Sequence, residues 1–72
     1  NAIKVIDEGL TLHDFRMTPL SDKRTNLIFD VVVPSRVKLS EKELEERIVS
    51  LAKLINPIFE CVITFDNDFS GI

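Results

Sequence analysis

A small α+β domain, a sheet with helix cover on one side, is the fold class the sequence predicts, and three stretches predict it. Asn26 to Val33 is rich in β-branched residues and alternates along its length, the pattern of a strand. Ser40-Glu41-Lys42-Glu43 is a capping box that opens an amphipathic helical pattern. Phe59 to Phe65 alternates again, with Phe59, Cys61, Ile63 and Phe65 on one face. With one more strand near the start the order reads ββαβ, and such elements bury their apolar faces as two layers.

The elements follow in chain order. Asn1-Ala2 resembles the remnant of tag cleavage, so native sequence is expected from Ile3. Residues 3–8 are apolar at Ile3, Val5 and Ile6 and stop at Gly9, a residue suited to ending a helix. They read as the stub of a first helix rather than a short edge strand. Leu10 to Met17 reads as a strand with His13, Phe15 and Met17 on one face and Asp14 and Arg16 opposite. Pro19 through Lys23 is a turn region by its Pro, Ser and Asp content.

The second strand sets Leu27, Phe29, Val31 and Val33 against Ile28, Asp30 and Val32, and Pro34 ends it. The helix carries Leu44, Ile48, Leu51, Ala52 and Ile55 on one stripe, with its early carboxylates suited to the helix dipole. Asn56-Pro57 stops it. One helix covers one face of a sheet, so Ile28, Val32 and Val62 leave apolar surface for a second helix or a partner chain.

The totals set bounds. A chain of 72 residues makes one domain, 1–72, with a thin core. Cores of this size rarely supply more than about 3–5 kcal/mol without a disulfide or structural metal. Cys61 is the single cysteine, which excludes an intrachain disulfide and suits a reducing compartment. A hydrophobic share of 44% with 29% charged residues marks a folded chain, not a disordered one. Net charge of −3 argues against a nucleic-acid partner, which a basic stripe would announce. The apolar runs fall far short of the roughly 20 residues that span a bilayer.

Few residues are candidates for chemistry. His13 beside Asp14 is a candidate metal ligand through neutral imidazole; the plainer alternative is a surface histidine that hydrogen-bonds locally. Asp66-Asn67-Asp68 offers two carboxylates on one side of a strand, against the alternative of a polar strand exit. Cys61 reads as a buried, inert thiol. Asp30 reads as structural, lying on the solvent side or pairing with Arg16 across the hairpin. Neither a phosphate-cradling glycine loop nor a nucleophilic triad is present, so the chain is not expected to be an enzyme.

From Gly9 to about Asp68 the chain resembles the C-terminal cytoplasmic domain of cation diffusion facilitators, proton-coupled efflux transporters for zinc, iron, manganese and related divalent ions. The resemblance rests on Leu12-His13-Asp14-Phe15-Arg16, on Thr25 through Val33, on the capped helix and on the closing Val62-Ile63-Thr64-Phe65-Asp66. It implies a ferredoxin-like, metallochaperone-like two-layer sandwich, αββαβ, whose first helix is mostly or wholly cut away here. It also implies a homodimer, attached to a transmembrane domain of the same parent chain on the cytoplasmic side of a membrane, with no direct lipid contact of its own.

His13 falls on the first histidine of the family's metal site and Asp66 on its last carboxylate, with Asp14 and Asp68 behind them. Phe29 and Thr64 stand where the family's second and third histidines are expected. Losing two imidazoles weakens zinc and leaves oxygen donors that favour harder ions, so the implied site is a weak or vestigial one for a divalent metal. The function expected is dimerisation and metal sensing for an efflux transporter. The alternative is a free-standing regulatory module that binds a small ligand; it would need a glycine loop after the first strand, where Pro19-Leu20-Ser21-Asp22 stands instead.

Overall fold

Strict alternation in the second strand organises the molecule. The computed structural model describes Ile3, Ile6 and residues 9–68. It contains β1 (Thr11–Ser21), β2 (Arg24–Pro34), α1 (Glu41–Ile55) and β3 (Phe59–Asp68). In β2 the odd-numbered residues, Thr25 to Val33, are buried and the even-numbered ones half-buried. That pattern belongs to a strand with neighbours on both sides and one face on the core. The sheet order is β1-β2-β3, with β1 antiparallel and β3 parallel to β2. The chain is therefore a small α+β domain of ββαβ order.

The helix forms where its caps put it. Ser40 is extended, at φ −70° and ψ 161°, and its Oγ accepts from the Glu43 N–H at 3.1 Å. Leu44, Ile48 and Ala52 repeat at four-residue intervals and are buried against Leu27, Phe29, Val31 and Val33. Leu44 and Ile48 each contribute about 1.5–3 kcal/mol through removal from water, the Ala52 methyl much less. At the other end Asn56 donates its N–H to the Ala52 carbonyl at 2.9 Å, and its Oδ1 accepts from the Ile58 N–H at 3.2 Å. Pro57 has no donor to continue the ladder. Lys53 Nζ then donates to the Pro57 carbonyl at 3.1 Å, tying the last turn to the loop.

β1 departs from its sequence reading in three ways. It continues through Pro19, which pairs with Thr25, so the turn shrinks to Asp22-Lys23 between the paired Ser21 and Arg24. Pro19 is tolerated because β1 is an edge strand, whose missing N–H can face away from the ladder. Secondly, the register shifts between His13 and Arg16: three steps on β1 match two on β2, from Asp30 to Ile28. Asp14 takes up the extra residue at φ 55°, the left-handed region that aspartate tolerates better than most side chains. Thirdly, this bulge separates residues expected to share a face.

Leu12 pairs with Val31 and Met17 with Leu27, both on the core face, while His13 pairs with Asp30 and Arg16 with Ile28 on the outer face. Phe15 stacks on Phe29 with ring centroids 6.0 Å apart, so it too belongs to the core side. The expectation that His13 joins Phe15 and Met17 is thus overturned. The cause is legible in hindsight: Leu12, Phe15 and Met17 can all reach the core only if one residue is absorbed between the first two.

The N-terminal segment is described only in part. Asn1-Ala2 and most of the expected helix stub over 3–8 lie outside the described residues. Ile3 is buried in the core, and its carbonyl accepts from the Ile6 N–H at 3.0 Å, one tight turn. Gly9 has no positive φ, so left-handed backbone is not what the glycine supplies here. Its smallness serves a close approach instead: a Cβ there would stand 3.1 Å from Pro34 Cγ and would run into the Arg36 guanidinium.

Candidate functional site

Two surfaces of the sheet carry what chemistry the chain has. The outer face is built by the even-numbered residues of β2 and β3 and, because of the bulge, by Thr11, His13, Arg16 and Thr18 of β1. Register places His13, Asp30 and Thr64 in one row, and Thr11, Val32 and Asp66 in the next. The His13 ring is exposed, with Nε2 3.4 Å from Thr11 Oγ1, two residues away on the same face. Of the two places expected for Asp30, the register gives the outer face of the sheet, opposite His13; Arg16 lies opposite Ile28 instead.

The expected metal ligands are dispersed. His13 is on one edge strand and Asp66 on the other, two inter-strand spacings apart, about 10 Å, and one row along. Zinc holds its ligands at about 2.0–2.3 Å. Asp14 sits within the bulge. The β3 backbone reaches Asp68 opposite Pro34, while the Asp68 side chain lies outside the described residues. Phe29, which stands at an expected histidine position, is 4% exposed in the core and faces away from His13. Among the described residues no three His, Cys, Asp or Glu side chains gather closely enough to hold a metal ion. The residue that sequence reading missed is Asp30 as the neighbour of His13. The signal for it was the broken alternation at Leu12–Phe15.

The inner face is apolar and half open. Among the described residues α1 packs closest on β3, and little besides Ile3 lies over the core face of β1. Phe15 and Met17 are therefore 51% and 53% exposed although they point to the core side. Between β1 and α1 runs a cleft of about 200 Å³, lined by Ile3, Leu12, Phe15, Met17, Leu51 and Ile55, among others. Ile55, expected on the buried stripe, reaches over this opening and is 63% exposed. Cys61 lines the far wall. Burial pushes its thiol above the usual range; Lys53 pulls it down and Glu45 adds a smaller push up. Cys61 is half-buried on this wall rather than buried as expected, because the cleft leaves the core side of the sheet partly open.

Comparison with protein-family models, with curated proteins and with solved structures finds no match to this chain. Among the described residues no helix is long and apolar enough to cross a membrane.

Proposed function

We propose that this chain is a self-association domain of a divalent-cation efflux transporter of the cation diffusion facilitator type, acting on the cytoplasmic side of the membrane. The observation that supports this reading best is the ββαβ order, with Leu12-His13-Asp14-Phe15-Arg16 forming the bulged first strand. The finer fold reading, a ferredoxin-like sandwich with another helix over β1, agrees with the uncovered Phe15 and Met17. The domain is an interaction module, not an enzyme, on this reading.

Metal enters the proposal only as a modulator. One imidazole and one opposing carboxylate, His13 and Asp30, do not fill the four-ligand shell of a structural zinc site. A single chain therefore binds metal weakly, and an ion that strengthens association takes ligands from two copies. It can bias pairing only by its difference in affinity between paired and unpaired states. A small-ligand module is the less favoured reading, because Pro19-Leu20-Ser21-Asp22 stands where a glycine loop after the first strand would be needed to admit the ligand.

Sedimentation equilibrium on chelator-treated protein, repeated with zinc and with manganese, tests the proposal. A dimer is expected without metal, in the native chain and in His13→Ala alike; tightening by metal in the native chain alone would add a metal-sensing role through His13. A dimer indifferent to both ions removes metal sensing and leaves a scaffold. A monomer in all conditions overturns the reading.

A further inference from the structure

We infer that β3 pairs edge to edge with β3 of a second copy, antiparallel and centred on Val62, to make one continuous six-stranded sheet. The inference rests on the self-association reading and specifies its geometry; it sets the two His13 residues on the far edges of the joined sheet, so association that tightens with metal through His13 overturns it.

The two edges of the sheet are differently built. β1 carries a bulge at Asp14 and a proline within the strand, both devices that blunt an edge against foreign strands. β3 has neither: its ten residues run in unbroken register from Phe59 opposite Thr25 to Asp68 opposite Pro34. The Ile58 carbonyl accepts from the Thr25 N–H at 3.0 Å, which fixes the phase of the strand. Even-numbered residues of β3 turn their backbone groups toward β2, so Cys61, Ile63 and Phe65 turn theirs outward. Such a row is a template for another strand. The described N-terminal residues do not cover it, since Ile3 lines the cleft on the β1 side.

Side-chain pattern selects the occupant and the register. A two-fold axis requires the surface to match itself. Centring on Ile63 would set Glu60 opposite Asp66 of the second copy, two like charges face to face. Centring on Cys61 would shorten the overlap and leave Phe65 without a partner. Centring on Val62 sets Phe59 opposite Phe65 and Cys61 opposite Ile63 on the core side. On the outer side it sets Glu60 opposite Thr64 and Val62 opposite itself. These core-side residues are only half-buried in one copy, and Val62 is 50% exposed. Glu60 is also neutralised in place by Arg24, whose Nε lies 3.4 Å from its carboxylate. All the outward-facing residues then meet as hydrogen-bonded pairs, with Val62 in the closer, non-hydrogen-bonded position.

Cross-linking and a backbone change test this in the full 72-residue chain. Val62→Cys in a Cys61→Ser background is expected to form an intermolecular disulfide under mild oxidation, since opposing Cα atoms stand about 4.5 Å apart in that position. Thr18→Cys in the same background, on the guarded edge, is expected not to. N-methylation of the Ile63 amide by chemical synthesis keeps its side chain and its strand's bonds to β2. It is expected to weaken association at least tenfold. A dimer that ignores the methyl group and fails to cross-link at Val62 overturns the edge geometry while leaving self-association standing. A chain that stays monomeric at millimolar concentration overturns both.

Discussion

β1 and β3 flank the same central strand and are nearly equal in length, eleven residues against ten, yet they make opposite kinds of edge. β3 is regular, parallel to β2 and capped by α1. β1 is antiparallel, bulged at Asp14, interrupted by Pro19 and bare on its core face. The difference shows that burial is distributed by the helix, not by the strands. Where α1 lies, alternation alone gives a covered wall; where it does not, Phe15 and Met17 keep half their surface in water.

Truncations on either side of this divide sharpen it most. Leu44→Ala removes a fully buried contact beneath α1 and is expected to cost about 2–5 kcal/mol, read from urea midpoints. Met17→Ala, on the bare side, is expected to cost less than about 1 kcal/mol, because so much of the side chain is already solvated. Equal costs would mean that the uncovered face is covered in solution. The bulge comes next. Asp14→Val is expected to destabilise by about 1–2 kcal/mol, since a β-branched residue at φ 55° is strained, and Asp14→Gly to recover or exceed native stability. If Val were neutral, the strand would have slipped back to regular pleating with His13 inward.

The smallest effect concerns the β3 side. Burial raises the Cys61 thiol above its unfolded value, so the unfolded chain loses its proton first as pH rises. Above about 8.5, the ordinary thiol range, the unfolded state therefore binds fewer protons and stability falls, levelling once pH passes the raised folded value. Chemical denaturation of native chain and Cys61→Ser between pH 7.5 and 9.5 should show this slope in the native chain only.

Much of the fold was legible in the residues. The Ser40 box, the Asn56-Pro57 stop and the alternation of β2 are local signals with local causes, and each element formed where they stand. The candidate site was less legible. Which face His13 takes depends on the parity of β1, and one residue at φ 55° reverses it. The Pro, Ser and Asp content of Pro19 through Lys23 signals a turn, but an edge strand has a side where no ladder exists, so Pro19 stays in β1. Alternation leaves two places for Asp30, the solvent side or a pairing with Arg16, and the bulge between His13 and Arg16 removes the second.

The sequence by itself determined the two later strands, the helix between them and the apolar face of β2, because caps, prolines and periodicity act over a few residues. Only the tertiary structure decided that His13 faces Asp30 and that Phe15 and Met17 stay half exposed on the core side of β1. Those outcomes depend on strand register and on where a single helix lies across three strands. Both are set by packing the whole core at once, and no short stretch of residues encodes either alone.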